Sequence, residues 1–458
     1  MLKIWYYGGT EYMKDAPAYF DNVYEDEWIE DAFVKEMIQD VDSSTVISSH
    51  IIESPVLGAI TPKELSGGVK VLILMLKDDS FIYNMSNCGN NCAKWILKIA
   101  EKLPVECAYD VEVIDGTGKL LMPGLIDAHV HILGGGGEGG AKTRTPEIML
   151  TDITKAGVTT VVGCLGTDGC TRTMTNLLAK AKGLEEEGIT TYVYTGSYQV
   201  PVRTVTGSIM DDLILLDKVV GCGEIAISDH RSSQPTKGDF AKIVADTRVG
   251  GILSAKAGLV NIHMGDGKEK LEYLKYVLDN SMIPPTQMLP THINRSMALM
   301  LDGIEYAKEY GGYIDLTTSS DPDFLDPDEV KASTGFKMAL YAGVPAEKIT
   351  FSSDGQGSLP VFAADGTFLG LGVGKVTSMY RELQDAVLKD GVALEDALKP
   401  VTKNPATLLK LDNKGKIAEN ADADLVLAEE ENLELFTVFA KGNLMIHEKK
   451  VLVKGTFE

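Results

Sequence analysis

The sequence predicts an α/β protein built around a (β/α)8 barrel, and three observations predict it. From about residue 111, short β-type runs alternate with helical stretches, eight runs in all. The chemically loaded residues fall at the C-terminal ends of those runs, where barrel enzymes gather their sites. The chain has 458 residues and 44% hydrophobic content, enough for one large barrel with appendages. An open doubly wound sheet uses the same alternation, but no Gly-rich phosphate fingerprint follows the first run.

The runs span residues 124–131, 159–166, 190–196, 220–228, 259–265, 288–294, 313–319 and 349–355. The first opens on Gly124-Leu125-Ile126 and closes on Asp127-Ala128-His129-Val130-His131. Alternate residues of a strand point to one face, so His129 and His131 project together and can grip one divalent ion. An isolated pair of this kind can equally pack or hydrogen-bond. The later runs decide between these readings. The fourth carries Glu224 and continues into Asp229-His230-Arg231; the fifth ends in His263, the sixth in His292 and the eighth in Asp354. Four histidines and two carboxylates in this order can hold two divalent ions, with one carboxylate bridging. A hydroxide between two such ions attacks at neutral pH, and the ions polarise a carbonyl. Asp354 is placed to take the hydroxide's proton and pass it to a leaving amine.

Outside the barrel, residues 1–102 read as a small α+β unit that contains all three tryptophans. Ile29, Phe33 and Met37 recur at helical spacing, residues 69–76 and 81–85 read as strands, and Cys92, Ile96 and Ile99 suit one face of a closing helix. Residues 103–120 form a linker with one strand, Val111-Glu112-Val113-Ile114-Asp115; the barrel occupies 121–409 and a C-terminal β segment 410–458. The net charge of −23 argues against nucleic acid or an anionic membrane as partner. The N-terminus lacks the charged and apolar regions of a signal peptide. Six scattered cysteines, with only Cys88 and Cys92 close together, fit free thiols in a reducing cytoplasm.

With these residues in place, the chain from about residue 110 to 458 resembles the amidohydrolase superfamily and, within it, the isoaspartyl dipeptidases. The stretches that carry the resemblance are DAHVHILGGGGEGGAKTRTPE from Asp127, VVGCLGTD from Val161 and TGSYQVPVRTVTGS from Thr195. ISDHRSS from Ile227, HMGDGK from His263, LPTHINR from Leu289 and SSDGQGS from Ser352 complete it. Such motifs separate these enzymes from hydantoinases, dihydroorotases and deaminases with the same metal ligands. The resemblance implies two divalent ions, with zinc favoured by the histidine-rich donor set. His129, His131 and Asp354 would hold one and His263 with His292 the other. It also implies that Glu138 and Thr167 take the substrate's α-ammonium end, that Tyr198 stabilises the oxyanion, and that Arg231 and Arg295, supported by Ser358, grip carboxylates. The implied reaction is hydrolysis of the β-aspartyl peptide bond of a dipeptide, and the implied assembly is a homo-oligomer. Residues 1–102 resemble a family of small uncharacterised bacterial proteins, which implies no activity.

The chain departs from the pattern twice. Relatives often bridge the metals with a carboxylated lysine on strand four; here Glu224 stands at that position, and Lys218 lies six residues upstream. Glutamate is shorter, so a bulge around Cys222-Gly223 would bring the backbone closer, and no carbamylated lysine is expected. Relatives also begin with β-structure that pairs with the C-terminal strands. Only Val111-Glu112-Val113-Ile114-Asp115 stands for it here, which leaves the tail's strand edges to be covered by the N-terminal unit or to stay unpaired. Two other functions compete. An amidohydrolase of cyclic amides or N-acyl amino acids would not need the paired charges of Glu138, Arg231 and Arg295, and a non-catalytic fusion scaffold would not need two bound ions.

Overall fold

The computed structural model describes residues 3–7, 72–76, 96–100 and 111–458, apart from 321–324, 326, 327 and 363–367. It divides into two units, residues 1–124 with 416–453, and residues 125–415 with 454–458.

The second unit contains one strand on each of the eight expected runs: β1 (Leu125–Val130), β2 (Val158–Gly163), β3 (Thr190–Thr195), β4 (Val219–Ile227), β5 (Leu259–Met264), β6 (Met288–Thr291), β7 (Ile314–Thr317) and β8 (Ile349–Ser352). Strands β1 to β6 form one parallel sheet in chain order, and β7 pairs with β8. The chain just beyond β8 joins β1: the Asp354 amide donates to His129 O at 3.2 Å and the His131 amide to Gly355 O at 2.9 Å. Side chains tie β6 to β7, with Thr291 Oγ1 donating to Asp315 Oδ2 at 2.7 Å. Helices separate the strands: α1 (Leu150–Thr154), α2 (Met174–Glu186), α3 (Ile209–Leu215), α4 (Lys237–Leu253), α5 (Glu272–Asn280), α6 (Met297–Tyr310) and α7 (Ala332–Tyr341), with α8 (Thr377–Leu388) after β8. This is the layout of a (β/α)8 barrel.

Every residue of β1, β2, β4 and β5 is buried, as expected for parallel strands covered on both faces, and this is why they read as near-continuous apolar runs. Polar caps start the helices. Thr173, Ser208, Thr236 and Ser296 each accept a hydrogen bond from the amide three residues on, a contact worth about 1 kcal/mol per helix.

Strand β4 carries the bulge that the short glutamate calls for. Cys222 pairs with Val260 and Ile225 with Ile262, so β4 steps three residues for two of β5. The extra residue falls at Gly223-Glu224, whose peptide bond is cis. Gly223 has φ 147°, and a Cβ there would meet Asn261 O at 2.5 Å, so the bulge requires glycine.

The first unit corrects two expectations. Ile96–Ala100 is a strand, not the end of a helix, and pairs antiparallel with Leu72–Leu76. Apolar residues three apart in so short a run fit either element, and sheet pairing decides. The four-stranded sheet runs Ile96–Ala100, Leu72–Leu76, Lys3–Tyr7, Val111–Asp115. The strand that joins the C-terminal β segment is therefore not Val111–Asp115 but Lys119–Pro123, which pairs with Leu425–Glu429. Between them lies a tight turn. Asp115 Oδ1 accepts from the Thr117 amide at 3.0 Å and its hydroxyl at 2.6 Å, and Gly118 has φ 71°. The Leu425–Glu429 edge is thereby paired, in a sheet that continues through Leu435–Ala440, Asn443–His447 and Lys450–Val451. The helix drawn from Ile29, Phe33 and Met37, the strand at 81–85 and His50 lie outside the described residues.

Candidate functional site

At or just beyond the C-terminal ends of β1, β5, β6 and β8 the chain places its ligating groups around one carboxylate, Glu224. Its Oε1 lies 2.7 Å from His263 Nδ1 and 3.2 Å from His292 Nε2; its Oε2 lies 3.5 Å from His129 Nε2 and 3.7 Å from His131 Nε2. One carboxylate thus faces both histidine pairs. Asp354 Oδ1 closes the first pair, 3.0 Å from His131 Nε2 and 3.6 Å from His129 Nε2. His292 and Asp354 have φ of 64° and 52°. Left-handed backbone in residues other than glycine costs on the order of 1 kcal/mol or more and concentrates where function fixes it. Gly166 makes room: a Cβ there would stand 2.9 Å from His131 Cε1.

The other ring nitrogens are held from behind, largely by residues to which the sequence assigned no role. His129 Nδ1 lies 3.0 Å from Asn261 Oδ1, His292 Nδ1 2.7 Å from Thr317 Oγ1, and His263 Nε2 3.0 Å from Asp229 Oδ2. An amide oxygen or a carboxylate can only accept, so when an ion is bound His129 would keep a proton on Nδ1 and His263 on Nε2. Their remaining nitrogens face Glu224. Asn261 sits two residues before His263 on β5, and the strand period alone would have placed it on the same face. The Cys164 thiol, just past β2, was also missed; its Sγ is 3.7 Å from His131 Nδ1.

The electrostatics suit a cation. Glu224 is fully buried, yet His129 and His263 hold its carboxyl well below the usual range. Burial opposes charge on His129 and His131, but Cys164, Glu224 and Asp354 push His129, and Cys164 and Asp354 push His131, well above the ordinary imidazole value. Burial pushes His292 down to about 3, which keeps it neutral. Buried His129 Nε2, Glu224 Oε2 and Asp354 Oδ1 have no hydrogen-bond partner. Each such orphan costs roughly 1–3 kcal/mol, and a divalent ion among them would satisfy all three. Two groups of side chains have the spacing for a metal, His129 with His131, Cys164 and Glu224, and Glu224 with His263 and His292. The residues present therefore fit metal binding.

The expected substrate residues stand around this cluster. Thr167 Oγ1 donates to Glu138 Oε1 at 2.7 Å, and Arg231 Nη1 lies 3.5 Å from the same oxygen. Arg231 also donates to Asp229 through Nε at 3.0 Å and Nη2 at 2.8 Å, and stacks 5.4 Å from the Tyr198 ring. Tyr198 Oη is 2.7 Å from His263 Nδ1. Burial, with Glu224 nearby, raises its pKa well above the ordinary phenol value, so it stays an O–H donor. Arg295 closes the turn after His292, and its Nε is buried without a partner. Half-buried Ser358 begins the strand Ser358–Phe362 and lies against Gly136 of the glycine loop, where a Cβ would meet its Cβ at 3.0 Å. Lys218 is elsewhere: its Nζ donates to Thr191 O and Oγ1 and pairs with Glu185 at the start of β4. His230 is exposed, and His447 lies in the tail sheet beside Thr437.

Residues 120–456 match the model of the Amidohydrolase family, and residues 13–119 match a domain of unknown function (DUF4869). Among solved structures, a beta-aspartyl dipeptidase from the thermophilic, keratin-degrading Fervidobacterium islandicum AW-1, in complex with the beta-Asp-Leu dipeptide, is 51% identical. It superposes with a TM-score of 0.67 and covers 73% of this chain and 87% of its own. A second structure of the enzyme is 49% identical, with a TM-score of 0.66 and coverage of 74% and 86%. A curated dihydroorotase of Streptococcus thermophilus is 25% identical over 374 residues, 73% of this chain and 83% of its own. The chain belongs to the amidohydrolase family, on the branch of the β-aspartyl dipeptidases.

Proposed function

We propose that this chain hydrolyses the β-aspartyl peptide bond of dipeptides with the help of two divalent ions, zinc being the best match to its donors. The observation that carries the reading is the charge layout: one acid, Glu138, and two arginines, Arg231 and Arg295, stand around the cluster on Glu224. An isoaspartyl dipeptide has one α-ammonium and two carboxylates flanking its β-linked amide, which these three residues complement. Similarity to an enzyme solved with beta-Asp-Leu supports it. A neutral cyclic amide carries no charges for these residues to bind.

His129, His131, Glu224 and Asp354 would hold one ion, and Glu224, His263 and His292 the other. Two such ions, when bound, supply an activated water and polarise the scissile carbonyl. The chain does the rest. Glu138, steadied by Thr167, binds the α-ammonium, and the arginine forks bind the carboxylates. Tyr198 donates its proton in a hydrogen bond to the carbonyl oxygen as charge builds there. Asp354 is held ionised by His129 and His131, although burial opposes this. It takes a proton from the attacking water and returns it to the leaving nitrogen as the C–N bond breaks. Aspartate and a second amino acid are released. Cys164, Cys170 and Cys222 are free thiols, as the proposed cytoplasmic setting needs, and no helix among the described residues is long and apolar enough to cross a membrane.

The test is hydrolysis of β-aspartyl-leucine and its α-linked isomer by the full-length chain with zinc. Cleavage of the β isomer alone is expected. Cleavage of neither by folded protein with two zinc ions bound, or of a cyclic amide instead, overturns the reading.

A further inference from the structure

We infer that Cys164 is a ligand of the ion held by His129, His131 and Glu224, and makes this a sulfur-containing metal position. The inference rests on the two-metal reading above and adds a donor to it.

The thiol is fully buried, on the first residue beyond β2, in the ring of strand ends that carries the other ligands. Its Sγ, one nitrogen each of His129 and His131, and one oxygen of Glu224 all lie within 4.8 Å of one another. An ion among four donors could reach each with small side-chain adjustments. Two of those donors, His129 Nε2 and Glu224 Oε2, are buried and lack any hydrogen-bond partner. The pocket therefore already contains polar atoms that await an ion, and the sulfur lies within ion-sharing distance of them. Its protein contacts are Val130 O at 3.6 Å and His131 Nδ1 at 3.7 Å, ordinary distances for a thiol. Cys222, by contrast, lies against Gly196, where an added Cβ would be 3.7 Å from its Sγ, and Cys170 is exposed.

Charge favours the same conclusion. Two divalent ions bring four positive charges into a buried space, and Glu224 and Asp354 return two. On coordination the Cys164 S–H bond loses its proton to solvent, and the thiolate supplies a third negative charge. A thiolate also selects among metals. Zinc, cobalt and cadmium accept sulfur readily; magnesium and manganese prefer oxygen. The position should therefore discriminate against the hard ions, which carboxylates and imidazoles alone would do less strictly.

X-ray absorption at the zinc edge reads the ligand directly. The zinc-loaded full-length chain should show a sulfur shell at about 2.3 Å beside nitrogen and oxygen at about 2.0–2.2 Å. The shell should persist when Cys88→Ser, Cys92→Ser, Cys107→Ser, Cys170→Ser and Cys222→Ala are combined, and vanish in Cys164→Ser. With cobalt in place of zinc, the near-ultraviolet sulfur-to-metal charge-transfer band should follow the same pattern. Two zinc ions per chain with no sulfur shell in the parent protein overturns the inference and leaves the dipeptidase reading intact; no bound zinc overturns both. Should Cys164→Ser fail to fold, the fivefold variant, which keeps Cys164 alone, decides: a sulfur shell there supports Cys164, and its loss overturns it.

Discussion

Asn261 Oδ1 lies 3.0 Å from His129 Nδ1, and both side chains are buried. The amide thereby fixes which nitrogen of His129 faces Glu224. An isosteric but apolar side chain would let the ring turn or change tautomer. Removing such an orienting partner typically lowers metal affinity by about 10–100-fold. Asn261→Leu should show that loss in a competition titration with a zinc chelator, while its far-UV circular dichroism stays that of the parent. An unchanged zinc affinity would mean that His129 is positioned by the backbone alone.

Glu224 offers one oxygen to each histidine pair, and Lys218 is occupied at the opposite end of β4. On the proposed reading the bridge is supplied by the chain and needs no carbon dioxide adduct. Protein stripped of metal should regain full activity on β-aspartyl-leucine with zinc alone, and added bicarbonate should change nothing. Lys218→Met should bind two zinc ions and retain activity. Glu224→Ala should bind less than the full complement. Recovery that depends on bicarbonate would remove Glu224 from the bridging role.

Arg295 and Glu138 are the cleaner probes of substrate charge, because Arg231 also holds Asp229 and through it His263. A hydrogen bond to a charged group is worth about 1.5–3 kcal/mol, or roughly 10–150-fold in binding. Arg295→Met and Glu138→Gln should each raise KM for β-aspartyl-leucine by about that factor, with both zinc ions retained. A dipeptide lacking the α-amino group should bind the parent poorly and discriminate little between it and Glu138→Gln. Steady-state kinetics on the two substrates would settle both points; equal losses on both would place Glu138 outside ammonium recognition.

The sequence was readable where one residue type can do one job. His129 and His131 alternate on a strand, and His263, His292 and Asp354 close three others, so strand period and order were enough to locate the cluster. The β4 bulge was foreseeable from the shortness of Glu224 and the glycine beside it. Strand period puts Asn261 on the face of His263, but nothing in the sequence names the ring behind which Asn261, Thr317 or Asp229 will sit. Cys164 reads in the sequence as one of six scattered thiols, and only the convergence of the strand ends brings it beside His129, His131 and Glu224. The N-terminal unit misled at Ile96–Ala100 because local spacing is silent about a partner strand at Leu72–Leu76. Val111–Asp115 misled for the same reason: the turn at residues 115–118 sends it to Lys3–Tyr7 and gives the tail sheet to Lys119–Pro123.

Asp315 is a buried acid that the proposed reaction does not use, and it carries a pH signature. Thr291, Thr350 and Ser352 donate hydroxyl hydrogen bonds to it at 2.7, 2.6 and 2.5 Å. Burial outweighs these contacts and raises its pKa from 3.8 to about 6. Between those values the folded chain keeps the proton that the unfolded chain has released, so stability falls as pH rises through the window. The difference corresponds to about 3 kcal/mol at 1.36 kcal/mol per unit. Asp315→Asn keeps the shape and cannot ionise, so the stability of the parent relative to the variant should decline by an amount of that order from pH 4 to pH 6. It should be flat at lower pH. Urea denaturation of both proteins across this range, with chelator present throughout so that bound metal does not contribute, measures the difference. A parent that gains stability relative to Asp315→Asn as pH rises would show that the three hydroxyls, and not burial, govern the carboxyl.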